Sequence, residues 1–413
     1  MLASSSICFI TLVLKRMRKG IQVTFSISIH KIVTLSIAIG TASILIASMV
    51  MLGFKAEIKK KLVSFAGHFE ITKYNSAPYA LTSLHTGQVK GLMLNLPREI
   101  KKMTAFVQKP MLIHTKTDVE GVGCKGLDPM IAHTELEDYL IAGRLPNLSE
   151  AGYQNELVIS SHLAQKLSIQ LGDRVGVYTI HPTVRFRKLK IVGIYCTYLQ
   201  EIDAHLTFCD MRLMQRLNNW APAIVNGYEI FLKKGVSPTK ALKEKMLSFI
   251  ERDLQLTSTE QKYARLYDWL AIIQKNTLIF IVFILLIAGF TMVATVMIQL
   301  MERSYMVGIL KALGAHAWQI NLIMLCNSLR TLFGGMVYGN ILGLAVCFVQ
   351  YYYRCISLEP TLYYMHYVPI YWNWKVILFS NLLIVGTICM VLYFAIALLK
   401  QKTILEAFME SSL

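Results

Sequence analysis

The chain has 413 residues, of which 54% are hydrophobic and only 16% charged, with a mean hydropathy of +0.47. Soluble domains carry roughly 25% charged residues, so the composition excludes an ordinary water-soluble protein. The formal net charge of +17 would suit a nucleic-acid binder, but no compact basic motif interleaved with aromatics occurs, and no nucleic-acid partner is expected. Between residues 55 and 275 there are 30 Lys and Arg against 21 Asp and Glu; elsewhere there are 12 against 4. The latter flank apolar runs, where anionic lipid headgroups attract cations.

Residues 1–14 are apolar but short, and Lys15, Arg16, Arg18 and Lys19 come after them. A secretory signal has the opposite order, so residues 1–31 read as a cytoplasmic elbow segment. Residues 32–54 contain no charge over 23 positions. At about 1.5 Å per residue they can cross ~30 Å of hydrocarbon as the first membrane span.

Residues 55–275 form the one long polar region and read as a mixed α and β domain. Strands are predicted over 157–160, 174–180 and 188–195, with helices over 161–167 and 238–254. Ser237 is the expected N-cap of the second helix and Pro238 its first residue. Leu242, Met246, Phe249 and Ile250 would be its buried face. Gly172 and Asp173 read as a tight turn.

A second span is predicted over 276–300 and a third over 320–353. Arg330 falls inside the third, where it would snorkel to the headgroups, pair within the bundle, or mark a later start of the span. Gly335, Gly339 and Gly343 recur every four residues. This spacing lets another helix backbone approach closely, although spanning helices are glycine-rich in any case. Residues 354–375 form a short loop dense in aromatics, including Tyr363, Tyr364, Tyr367, Tyr371, Trp372 and Trp374, which suit the headgroup level. A fourth span over 376–399 precedes a short tail, 400–413, that begins with Lys400 and Lys402.

The loop 301–319 between the middle two spans is the most informative stretch. Met306, Ile309, Leu310 and Leu313 fall at i, i+3, i+4 and i+7, on one helical face. Lys311 sits in the last turn and Gly314 where a helix stop belongs. Such a helix either rests in the headgroups or docks a partner protein. The cations before the first span and after the fourth place both termini and this loop in the cytoplasm, with 55–275 and 354–375 outside. Lys59, Lys60 and Lys61 oppose that assignment, but long translocated domains cross largely regardless of charge.

The eight cysteines are Cys8, Cys124, Cys196, Cys209, Cys326, Cys347, Cys355 and Cys389, with no C-x-x-C among them. In the polar region either a Cys196–Cys209 disulfide forms or the thiols stay buried and free. No G-x-x-x-x-G-K-[ST] occurs, so no phosphate-cradling loop is expected. H-E-x-x-H and G-x-S-x-G are also missing, and the chain is not expected to be an enzyme. Asp203 and His205 are too little for a metal site, and Asp203 is expected to pin its local turn.

Residues 302–315 resemble the E-x-G-I-L-[KR]-A-[LM]-G-A element of FtsX/MacB-superfamily permeases. Gly308, Ile309, Leu310, Lys311, Ala312, Leu313, Gly314 and Ala315 carry the match, with Glu302 offset from the usual acidic position. The run Gly53-Phe54-Lys55-Ala56-Glu57-Ile58 and then residues 67–71 resemble the exit of the first span in LolC/LolE-type lipoprotein-release permeases. Residues 155–160, 163–167, 171–173, 188–195 and 201–203 are similar to the core of their external domain. The resemblance implies four spanning helices with a large α+β, MacB-like periplasmic core domain between the first two. It implies an inner-membrane permease subunit that releases lipoproteins by mechanotransmission, driven by a separate cytoplasmic ABC ATPase dimer. ATP and Mg would be bound there, with no cofactor on this chain. A second permease subunit, lipoprotein cargo, a periplasmic carrier and membrane lipid are the other implied partners. Glu302, Arg303 and residues 308–315 would form the ATPase-coupling helix. Ile44, Met49, Leu52, Ile281 and Leu285 are candidates to face lipid or an acyl chain. An efflux- or division-type permease of the same superfamily is the alternative, and a membrane receptor or scaffold is a further one. The tail departs from the family pattern: residues 402–407 lack its proline.

Overall fold

The computed structural model describes residues 24–74, 82–115, 118–131, 133–148, 152–179, 184–302 and 304–391. The elbow before residue 24, Arg303, the end of the fourth span and the tail therefore lie outside the described residues. The chain divides into two compact units. A membrane unit holds the described residues up to Lys55, Leu270–Ile356, and those from Val368 on; a sheet unit holds Ala56–Trp269 and Ser357–Tyr367.

Among the described residues, four helices are long and apolar enough to cross a membrane: Lys31–Ala66, Ala264–Ile298, Ser328–Tyr353 and Trp374–Val391. The first three belong to longer helices, Thr24–Ala66, Ala264–Glu302 and Ala317–Tyr353. The span expected to end at residue 54, at the first charge, thus continues as helix for twelve more residues. Residues 55–62 are mostly strong helix formers, with four lysines, Ala56, Glu57 and Leu62 among them. The helix stops only at Gly67, whose φ of +65° costs glycine little. The third helix runs unbroken through Arg330, whose side chain is exposed.

All four helices contribute to one apolar core in the membrane unit. Val33, Ile37 and Ile44 of the first meet Met292 and Val296 of the second, Leu332 and Met336 of the third, and Ile384 and Ile388 of the fourth. Leu45, Met49 and Cys347 form a second cluster. Ile44 and Met49 were expected to face lipid or cargo, and this is corrected here: both are buried inside the bundle, on the stripe that packs against the other helices. Leu52 is half-buried. Ile281 and Leu285 are partly buried against the core.

Gly335, Gly339 and Gly343 lie directly on the first helix. A Cβ at Gly335 would stand 2.7 Å from the Ile37 side chain, one at Gly339 2.5 Å from the Ala38 carbonyl oxygen, and one at Gly343 3.0 Å from Leu45. The two backbones are in contact along this row, as small residues permit between spanning helices. Asn340 and Asn381 exchange amide hydrogen bonds of 2.7 and 3.0 Å between the third and fourth helices. The pair satisfies two polar side chains that lipid could not.

The sheet unit contains β1 (Phe69–Lys73), β2 (Leu84–His85), β3 (Ile100–His114), β4 (Val119–Leu127), β5 (Leu140–Gly143), β6 (Glu156–Ser160), β7 (Arg174–Thr179), β8 (Arg185–Tyr195), β9 (Leu206–Asp210), β10 (Ile224–Val225), β11 (Gly227–Leu232) and β12 (Leu254–Ser258). Ten of them form one sheet in the order β12-β1-β11-β3-β4-β9-β6-β8-β5, with β7 pairing β3 and β8. The 15-residue β3 joins its two halves: residues 100–106 pair with β11 and residues 107–114 with β4. The β4–β9 and β6–β8 pairs are parallel.

The predicted strands 157–160, 174–180 and 188–195 correspond to β6, β7 and β8, and the helix at 161–167 to Ser161–Lys166. Its N-cap Ser160 accepts the Leu163 N–H at 3.1 Å. The helix expected over 238–254 is shorter, Lys240–Leu247, and its cap is Thr239 rather than Ser237. Tertiary pairing overrides the helical periodicity here: Leu254 and Leu256 are drawn into β12 beside β1.

The glycine row yields a test. Gly339→Ile must push the first and third helices apart, and the expected cost is about 1–3 kcal/mol or more. Thermal unfolding of the detergent-solubilised protein should show a clear drop. Gly386→Ala, where a Cβ meets nothing within 4 Å, should leave the transition unchanged.

Candidate functional site

The turn between the second and third spanning helices is built around the helix Ser304–Ala312. Gly314, at φ +87°, reverses the chain. The Ala315 N–H then donates back to the Leu310 carbonyl at 2.9 Å, and the Leu313 N–H to Ile309 at 2.9 Å, a Schellman-type stop. The next helix begins at once, with the His316 N–H donating to the Gln319 side-chain oxygen at 2.9 Å.

The apolar stripe of this helix is divided in use. Leu310 is only 8% exposed, whereas Ile309 is 45% and Leu313 76% exposed. Met306 is half-buried. Gly308, Ala312 and Gly314 are exposed, Ala315 is half-buried, and a Cβ at Gly308 would meet nothing within 4 Å. One edge of the stripe anchors the helix, and the other presents two branched apolar side chains one turn apart. Glu302 and Lys311 belong to described helices, but their side chains lie outside the described set.

In the sheet unit, the last turns of the first long helix are gripped from several sides. Ile58, Leu62 and Phe65 are buried. The Phe65 ring sits 5.2 Å from Tyr139, 5.7 Å from Tyr195 and 5.8 Å from Phe208. Lys125 of β4 donates to the Phe65 carbonyl at 2.7 Å and to Glu229 of β11 at 2.6 Å. A buried cation thus meets the negative end of the helix dipole, while burial raises the Glu229 carboxyl above its ordinary value despite Lys125. One turn earlier, Lys61 donates to the carbonyls of Thr197 at 2.8 Å and Tyr364 at 2.7 Å. Its burial lowers the ammonium pKa, with Glu57, Cys196 and Asp203 working the other way.

Asp203 pins the turn that presents the Thr197 carbonyl. It accepts from the Thr197 hydroxyl at 2.8 Å, the Thr197 N–H at 3.0 Å and the Tyr198 N–H at 2.9 Å. Burial still raises its pKa against these bonds. Among the described residues, no group of three His, Cys, Asp or Glu is placed to hold a metal.

The entry to the second spanning helix is tied to the exit of the first. Thr259, just past β12, donates its N–H to His68 at 3.1 Å and its hydroxyl to the Gly67 carbonyl. Lys262 pairs with Glu70 of β1, and Lys59 with Glu260 at 3.6 Å. Burial opposes the charge on Lys262, but Glu70 holds its ammonium above the usual range. With β1 and β12 hydrogen-bonded side by side, one ladder clamps the two connections.

Residues 32–244 match the family described as MacB-like periplasmic core domain. The chain belongs to that family. In this MacB-like chain, residues 278–404 also match the FtsX-like permease C-terminal family. It is similar to the Neisseria meningitidis lipoprotein-releasing system transmembrane protein LolC, 23% identical over 81% of this chain and 82% of that one. The Haemophilus influenzae transmembrane protein LolE of the same system is 22% identical, over 84% and 86%. Among solved structures, the periplasmic region of MacB from Actinobacillus actinomycetemcomitans aligns with a TM-score of 0.35 and 12% identity, over 50% of this chain and 95% of that one.

Sequence reasoning missed Lys61, Lys125 and the Asn340–Asn381 pair. Lysines read as solvated by default, and their burial depends on strands far away in the chain. The three-lysine run at 59–61 was nevertheless a signal: a continuous amphipathic extension of the first helix would have put Lys61 on the face shared with Ile58, Leu62 and Phe65.

Two measurements on this MacB-like chain check the junction. Lys125→Met leaves Glu229 buried without its cation and should cost about 3–5 kcal/mol, read as a large fall in Tm. Adding Glu229→Gln should restore part of it. The second concerns His68, which burial and then Lys59 lower from 6.5 to about 4; its Nδ1 accepts the Leu232 N–H at 3.1 Å, a role only the neutral ring can fill. Between pH 6.5 and 4 the unfolded chain binds a proton that the folded chain refuses. Stability should therefore fall as pH drops through that window, by on the order of 2 kcal/mol. His68→Gln should flatten this part of the profile.

Proposed function

We propose that the chain is the membrane subunit of an ABC transporter that releases lipoproteins from the inner membrane, with ATP hydrolysed by a separate cytoplasmic ATPase dimer. The observation that carries the coupling part is the exposed pair Ile309 and Leu313 on a short, sharply stopped helix between two spans. An apolar pair on a fixed turn fits an apolar groove in a protein partner. The lipoprotein part rests on the names of the LolC and LolE relatives. Glu302, Arg303 and residues 308–315 form the coupling element, with the bound nucleotide and Mg on the partner. A second permease subunit completes the assembly, and a periplasmic carrier takes up the cargo.

In this reading both termini and the turn are cytoplasmic and the sheet unit is periplasmic. Lys59 and Lys61, which argued against that orientation, are engaged by Glu260 and by the Thr197 and Tyr364 carbonyls and so do not act as headgroup anchors. Each buried CH₂ holds an acyl chain in the bilayer by about 0.8 kcal/mol, so release needs an external energy source. Force applied at the turn moves the second and third helices directly. The third carries the first along the glycine row, and the first ends in the Lys125 grip. On the second helix the half-buried Ile281 and Leu285, with the exposed Phe283 and Ile287, offer an apolar face to the departing chain, and the half-buried Leu52 of the first helix is a further candidate.

Leu313→Asp tests the proposal, because Leu313 takes no part in the core. The variant should insert and fold normally yet lose stimulation of the co-purified ATPase in reconstituted vesicles, by at least tenfold. Depletion of the protein should strand lipoproteins in the inner membrane. Wild-type stimulation by the variant would refute the coupling role; normal lipoprotein sorting on depletion would refute the cargo.

A further inference from the structure

Cys124 and Cys209 lie on neighbouring parallel strands. In the β4–β9 register Cys124 faces Thr207 and Gly126 faces Cys209, so the two cysteines are diagonal neighbours on one face of the pleat. Both side chains are fully buried, and their Sγ atoms are 3.2 Å apart. We propose that they are joined by a disulfide bond in the working protein, stapling β4 to β9. The inference rests on the periplasmic placement of the sheet unit, an oxidising compartment in which such bonds persist.

A covalent S–S distance is about 2.05 Å, and diagonal neighbours on adjacent strands stand about 7–8 Å apart, so the gap closes by a rotation of the side chains together with a small approach of the two strands. Cys196, the disulfide partner that the sequence offered for Cys209 as the alternative to buried free thiols, is engaged elsewhere: its Sγ faces Asp203 at 3.7 Å. In the chemistry, one cysteine thiolate attacks the disulfide of a periplasmic thiol–disulfide oxidant and forms a mixed disulfide. The second then displaces the oxidant. Two S–H bonds are lost, one S–S bond forms, and two electrons and two protons leave on the oxidant, now a dithiol. Burial, followed by Cys124 and Asp210, pushes the Cys209 thiol well above its ordinary pKa. Exchange in the finished fold is therefore suppressed, so the bond forms as the strands assemble and resists reduction afterwards. The cysteines are 85 positions apart, and closing that loop in the unfolded chain stabilises the domain.

The test uses full-length protein in its native membrane. Spheroplasts are treated with a membrane-impermeant maleimide, which should label the exposed Cys355; its loop shares a side with the sheet unit, because two spans separate them. The protein is then denatured without reductant, alkylated with N-ethylmaleimide and mapped by mass. The expected result is a linked peptide pair containing Cys124 and Cys209, two hydrogens lighter than the sum of the free peptides. Dithiothreitol, which reaches the bond as the chain unfolds on heating, should lower the Tm of the purified protein by about 5–15 °C and leave a double variant, Cys124→Ala with Cys209→Ala, unmoved. Cys355 labelled with both cysteines alkylated would overturn the disulfide while leaving the placement intact. Cys355 unlabelled would overturn the placement, and the disulfide with it.

Discussion

The structure of the sheet unit depends on one buried ammonium. Lys125 meets the Phe65 carbonyl in the last turn of a 43-residue helix and balances itself on Glu229. A helix end carries unsatisfied carbonyls and a partial negative charge, and burying it among Tyr139, Tyr195 and Phe208 would be costly without a cation. Lys61 does the same for carbonyls at Thr197 and Tyr364. The two lysines turn a helix that could merely abut the domain into one that terminates inside it.

Stiffness recurs in the membrane unit by other means. Lipid provides no hydrophobic drive for helix association, so close backbone approach and interhelical hydrogen bonds have to supply it. Gly335, Gly339 and Gly343 provide the first and Asn340 with Asn381 the second. The junction at Gly67, His68 and Thr259 ties the end of the first long helix to the start of the second on one β ladder. The proposed passage of force would need such parts, because a compliant element would absorb the displacement.

The turn between the second and third spanning helices is the opposite kind of element. Its helix is short and closes on a left-handed glycine. It uses one of its apolar side chains, Leu310, for its own anchoring and leaves Ile309 and Leu313 exposed. Exposed branched side chains on a backbone with a fixed stop have little conformational freedom left to lose on binding.

Local chemistry alone determined the four spans, the polar domain between the first two, the strands at 157–160, 174–180 and 188–195, and the stop at Gly314. Each depends on hydropathy, alternation or a φ preference readable within a few residues. Only tertiary structure decided that Ile44 and Met49 face inward, that Leu254 joins a strand, that Cys209 lies against Cys124 rather than facing Cys196, and that Lys61 and Lys125 are buried. Those outcomes depend on which surface arrives from elsewhere in the chain: a neighbouring strand, another helix's glycine row or a carbonyl in want of a donor.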